Sequence, residues 1–244
     1  REKARCPGAL TGFRYTLDKR GEDMELAKAL DVRKGVTAII GAGGKTTLLL
    51  ALARELARTA RVIVTTTTHI YPPDGFPCLL QPGEAEIAAA LEKHPCVCVG
   101  KPAKEGKITA ADVPMYTLAA LADYVLVEAD GAHGRPAKAH ADYEPVVPPE
   151  ANQTILVFGL SALGRPVREV VHRPAIFAAR CGCSEEDLLT PELAATFINE
   201  ETPHTRVLLN QADTAERLAL GRGMAAGLRG PACLSALQKG WITC

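Results

Sequence analysis

Between Val36 and Ala57 the chain reads VTAIIGAGGKTTLLLALARELA: an apolar strand pattern, a glycine loop, Lys-Thr-Thr, then an amphipathic helix pattern. Gly41, Ala42, Gly43 and Gly44 form a tight turn with bare backbone N–H groups, and a helix opening near Lys45 adds the positive end of its dipole. Such a turn suits the phosphates of a nucleotide. In that reading Lys45 reaches the β- and γ-phosphates, and Thr46 stands where a hydroxyl ligates Mg2+, with Thr47 behind it. The common spacing G-x-x-x-x-G-K-[ST] calls for glycine at position 39, where this chain has Ile39. The loop is therefore the shorter G-x-x-G-K-T-T.

Carboxylates are expected opposite that loop. The apolar run Tyr124 to Val127 ends in Glu128-Ala129-Asp130-Gly131. Glu128 and Asp130 at the end of a buried strand can place an oxygen near Mg2+ or the attacking water, so Thr46, Glu128 and Asp130 are the metal candidates. An acidic turn after a core strand gives the same letters. The following glycine- and proline-rich stretch carries His133, Arg135, Lys138, His140 and Glu144. Arg135 and Lys138 suit developing phosphate charge or an anionic second substrate, and His133 suits a water-orienting or basic role. Lys45, Glu128, Asp130, His133, Arg135 and Lys138 are thus the catalytic candidates.

Two further strand ends carry polar residues. Leu208-Leu209-Asn210-Gln211-Ala212-Asp213 resembles the guanine-reading N-K-x-D with Gln211 in the lysine place, and Ser235-Ala236-Leu237 resembles the base-contacting S-A-[KL] loop. Asp213 would accept both guanine N–H donors. An Asx turn before a helix cap gives the same letters. Thr65 to Thr68 either face the phosphates or form a β-branched strand tail.

Lys+Arg and Asp+Glu each total 28, for a formal net charge of zero. That excludes the basic excess on which general nucleic-acid and membrane-surface binders rely. No apolar run reaches the roughly 18 residues of a membrane span and no signal peptide is seen, so a cytoplasmic protein is expected. The eight cysteines include no C-x-x-C pair, and no disulfide framework is expected. Cys96 and Cys98 alternate in an apolar run as small hydrophobes, while Cys181-Gly182-Cys183 is the one close pair that invites a metal.

Apolar strand patterns near residues 36, 61–64, 96–100, 124–127, 155–158, 206–209 and 232 alternate with helical patterns over 84–93, 115–122, 176–180, 191–199 and up to 228. This alternation predicts an α/β protein, P-loop NTPase-like, with a mainly parallel sheet covered by helices on both faces. Ligands then sit at the carboxyl ends of the strands. Residues 1–23 read as an N-terminal extension and 24–244 as a single domain.

The loop is closer to those of Mur ligases and metallochaperone GTPases than to the common form, and E-x-x-G at Glu128 to Gly131 resembles the γ-phosphate sensor of nickel-insertion GTPases. Together GAGGKTT, TTTTHI, VEADGAHGRPAKAH, YEPVVP, GLSALGRP, VHRP and LLNQAD resemble the YqeC family of selenium-dependent hydroxylase accessory proteins. The resemblance implies a nucleotide-binding protein that prepares the selenium-containing molybdenum cofactor of a molybdenum hydroxylase, with GTP or ATP and Mg2+ as cofactors. The metallochaperone likeness adds two copies paired across the nucleotide. Residues 41–47, Glu128 and Asp130 form the nucleotide site implied. The sequence reading keeps two alternatives open: an ATP-dependent ligase or kinase acting on a small anionic acceptor, and a non-hydrolysing, nucleotide-gated interaction module.

Overall fold

The computed structural model describes residues 26–201 and 203–244. The expected extension over residues 1–23 lies outside the described residues. Each long apolar run forms a strand: β1 (Gly35–Gly41), β2 (Val62–Thr66), β4 (Cys96–Pro102), β6 (Tyr124–Glu128), β8 (Ala151–Gly159), β10 (Arg206–Asn210) and β11 (Ala232–Ala236). Short strands complete a ten-stranded sheet, in the order β12–β11–β10–β8–β1–β6–β2–β4–β3 with β5 on β4. They are β3 (Cys78–Leu80), β5 (Ile108–Thr109) and β12 (Trp241–Thr243). Among the described residues only β5 and β12 run antiparallel to their neighbours in this sheet.

The strands are apolar throughout because both faces are covered. Ile39, Val64, Leu126, Ile155 and Leu208 pack against α1 (Leu26–Ala29) and α2 (Lys45–Leu56) on one face. Ala38 and Ile40, pointing the other way as strand alternation requires, share a core with α6 (Pro174–Cys181), α7 (Pro191–Glu200) and α8 (Ala215–Ala226). Farther along the same face, Val97, Val125 and Val127 meet α3 (Glu84–Lys93) and α4 (Met115–Leu121).

The glycine- and proline-rich stretch, expected as a loop, contains β7 (Ala137–Lys138), which pairs with β9 (Val171–His172) in a separate two-stranded ladder after the short helix α5 (Val167–Val170). Among the described residues one disulfide, Cys233–Cys244, joins the β11–β12 pair just beyond the Leu234↔Thr243 register. Among the described residues no helix is long and apolar enough to cross a membrane.

The topology sets the site. From β1 the chain passes through α2 to β2, beyond β6, and later returns from β6 to β8 on the other side of β1. The strand order therefore reverses around β1, where open α/β sheets leave a crevice at the strands' carboxyl ends. A buried amide fixes the opposite end: Gln153 Nε2 donates to Leu30 O at 2.9 Å and Asp31 O at 3.2 Å, tying the chain after α1 to β8. Gln153→Leu is expected to cost about 1–3 kcal/mol despite its greater hydrophobicity, because it strands these carbonyls without a donor. Urea denaturation of variant and wild type checks this.

Candidate functional site

The glycine loop is fixed by contacts too close for side chains. Gly41 and Gly43 have φ of 91° and 88°, and a Cβ on either would collide with the backbone of β8, at Val157 and Gly159 respectively. Ala42 N donates to Val157 O at 2.8 Å, and Asn210 Nδ2 to Gly43 O at 2.9 Å. The loop thus lies across the ends of β8 and β10 and delivers the chain into α2. Gly44 at the N-cap gives that helix no side-chain cap, so the first-turn N–H groups face the crevice.

Parallel pairing of β1 and β6 sets Ile39 beside Glu128, which brings Asp130 next to Gly41. Asp130 is fully buried and its Oδ2 accepts the Gly41 N–H at 2.8 Å. Lys45 Nζ lies 3.1 Å from Asp130 Oδ1 and 3.9 Å from Glu128 Oε1, and donates to Gly41 O at 2.7 Å. Asp130 also pairs with His140 Nε2 at 2.5 Å and Lys138 Nζ at 3.5 Å. Burial alone would raise the Asp130 carboxyl, but the His140 hydrogen bond and the charges of Lys45 and Lys138 outweigh it and hold it below the usual value.

Asp130, expected with Glu128 as a metal candidate, contacts the loop and its neighbouring cations. Glu128 Oε2 accepts from the Thr46 hydroxyl at 2.9 Å while Thr46 stays exposed. Burial, with the Asp130 charge adding, pushes Glu128 above the usual carboxylate range against the pull of Lys45 and Thr46.

Sequence reasoning named His140 in the loop but not its role. Burial would depress this imidazole, yet hydrogen bonds to Asp130 and Glu201, with their charges, raise it. Its Nδ1 lies 3.2 Å from Glu201 Oε2, and Glu201 Oε1 accepts from Arg180 at 2.9 Å. A charge chain therefore runs from Lys45 through Asp130, His140 and Glu201 to Arg180 at the surface.

Lys138 joins the same cluster. Its side chain is buried, pairs with Glu144 at 2.9 Å and donates to Gly131 O. Burial, with Lys45 and Arg173 nearby, pushes it down to about 8 against the pull of Asp130. Arg173 completes the pairing with Glu144 and lies over the Tyr143 ring.

His133 and Arg135 are exposed on the preceding turn, outside this buried cluster, with the His133 ring 4.9 Å from His172. The threonine run braces the backbone. Thr65 donates to Val99 O, Thr66 to Glu128 O and Thr67 to Val146 O, at 2.8, 2.8 and 2.7 Å.

On the other side of α2 a cleft of ≈ 260 Å³ is lined by residues that include Gly44, Thr47, Gln211, Asp213 and Arg217. Asn210 and Ser235, expected to read a base, are buried. Asn210 Oδ1 accepts from Ser235 Oγ at 3.0 Å and Leu237 N at 3.2 Å while one amide N–H holds the loop, and the residue also lines the cleft. Asp213 stands on the cleft rim, 3.6 Å from Arg217. Gln211, with φ of 67°, accepts from Ser161 Oγ at 2.5 Å.

Cys181 and Cys183 are partly buried against the core, and burial raises both thiols, Cys181 to about 11. Among the described residues no group of three or more His, Cys, Asp and Glu could hold a metal.

The sign of the His140 shift gives a pH test. The unfolded imidazole titrates near 6.5 and the folded one higher, so above 6.5 the folded protein binds more protons and this part of its stability falls as pH rises. His140→Gln is expected to lose on the order of 3 kcal/mol below pH 6.5 by leaving Asp130 and Glu201 without their shared cation. The gap to wild type should narrow as pH rises past 6.5; parallel melting curves for the two proteins across that range would refute the assignment.

The family model described as YqeC protein matches residues 37–175, the span that holds the glycine loop, Glu128, Asp130, Lys138, His140 and Arg173. A protein of Escherichia coli (strain K12), described as uncharacterized protein YqeC, is 36% identical over 166 residues, which is 64% of each chain. The chain thus spans less than two thirds of that relative's length. Loop, carboxylates and buried cations all fall inside the matched span, and on these matches the chain belongs to the YqeC family.

Proposed function

We propose that the chain is a Mg2+-dependent, P-loop-type nucleoside triphosphate-binding protein that hydrolyses the nucleotide it holds. The observation that carries this reading is the uncapped N-terminus of α2 with Lys45 beside it, held in the switch-point crevice by Asp130 and Gly41 O. The residues fit the group. First-turn N–H groups and a lysine suit phosphate oxygens, and Thr46 with Glu128 forms an all-oxygen pair suited to Mg2+, which characteristically keeps waters and phosphate among its ligands. Mg2+ bound there would neutralise charge on the β- and γ-phosphates.

In this reading Lys45 exchanges Gly41 O and Asp130 for phosphate oxygens, and Asp130 orients the loop through Gly41 N. Lys138 remains the second buried cation. Residues 24–244 act as one domain. The cleft at Thr47, Asn210 and Asp213 receives the base, and Asp213 is its carboxylate for discriminating guanine from adenine. The motif resemblance extends the reading to a cytoplasmic accessory factor for a selenium-dependent molybdenum hydroxylase.

Calorimetric titration with Mg-GTP and Mg-ATP, followed by phosphate release, tests it. Wild type should bind one of them and release phosphate, and Thr46→Val, an exposed change, should lose at least ~10-fold in affinity, or about 1.4 kcal/mol, in Mg2+ but little in EDTA. Failure of either nucleotide to bind wild type would overturn the reading.

A further inference from the structure

Away from this site, β3 and β4 carry two free thiols in register. Cys78 stands directly opposite Cys98 in the parallel pair. Neighbouring strands lie about 4.8 Å apart, inside the roughly 4.4–6.8 Å between Cα atoms that a disulfide bridges. β3 is a three-residue strand at the end of the sheet order, so it is the less anchored partner.

The two thiols differ in their surroundings. Cys98 is fully buried beside Ile70 and Ile108, while Cys78 packs at the margin of that small cluster and is partly exposed. A hydrogen bond from Cys98 lowers the Cys78 thiol to about 7; the same bond, then burial, raises Cys98. Burial raises Cys96 to about 12 and Cys181 to about 11. An accessible sulfur beside a buried one divides the roles of attacking and resolving thiol.

We propose that Cys78 and Cys98 form a thiol–disulfide exchange site that reacts with a small disulfide of the oxidised-glutathione type. The Cys78 thiolate attacks one sulfur of the disulfide, forming a mixed disulfide and expelling the other half as a thiolate that takes up a proton. The Cys98 thiol then gives up its proton to solvent and attacks the Cys78 sulfur, closing Cys78–Cys98 and releasing the second half as a thiolate, which is protonated in turn. In sum two protein thiols are oxidised and one disulfide is reduced to two thiols. The product would fasten the edge strand to β4, one strand from the Thr65 brace.

The test incubates the whole chain with oxidised glutathione at pH 7, quenches with N-ethylmaleimide and maps peptides by mass spectrometry without reduction. Wild type should yield the Cys78–Cys98 peptide. Cys98→Ser should trap glutathione on Cys78, and Cys78→Ser should leave Cys98 unmodified. Because a buried serine can compromise folding, wild type is also alkylated with iodoacetamide, and Cys78 should react at least ~10-fold faster than Cys181. Equal alkylation rates, or glutathione left on wild-type Cys78 without a linked peptide, would overturn the proposal.

Discussion

The Asp130 carboxylate, fully buried between the end of β1 and three cations, is the constraint on which the rest of the site depends. A lone buried carboxylate would cost several kcal/mol, so its position dictates which groups surround it. Glu128, Asp130, Glu144 and Glu201 are matched by Lys45, Lys138, His140 and Arg173, with Arg180 closing the chain at the surface. Each buried carboxylate thus has a cation beside it. Such a network contributes little net stability but allows few arrangements of loop, strand and helix.

Any anion entering the loop competes with Asp130 for Lys45. The consequence travels by contacts already in place: less charge from Lys45 on Asp130 strengthens the demand on His140 and Lys138. Lys138 holds Gly131 O and Glu144, and Val146 N donates to Ala129 O at 2.9 Å. Residues 129–146 are thereby joined to the cradle at both ends, with Thr67 bonded to Val146 O. A change at Lys45 would reach them through this chain of contacts if the packed, paired groups have a second discrete arrangement.

Strand, loop and α2 were legible because period, glycines and lysine all fall within 22 consecutive residues. β6 with Glu128 and Asp130 was legible for the same reason, since an apolar run ending in acids is a local signal. Glu201 was not, because it lies 61 residues from His140 at the end of α7 and reads as the polar end of an amphipathic helix. β3, β7 and β9 are two or three residues long, too short for any period to register. Asn210 was found by its letters, but its bracing of the loop was not legible, since that contact joins residues 167 positions apart. The Cys233–Cys244 bond depends on β12 folding back against β11, which a three-residue strand does not announce.

The two ends of the glycine loop are held by different physics. On the Gly41 side the restraint is charge: an N–H and a lysine on a buried carboxylate, strengthened by low dielectric and responsive to any added ion. On the Gly43 side it is neutral: an amide clamped by a serine hydroxyl and a backbone N–H, with no titrating group among these contacts. A ligand charge therefore acts first on the Asp130 side, while Asn210 holds the start of α2 in register. The loop thus has a neutral attachment at β10 and a charged one at β6, and only the charged one would respond to the electrostatics of a bound anion.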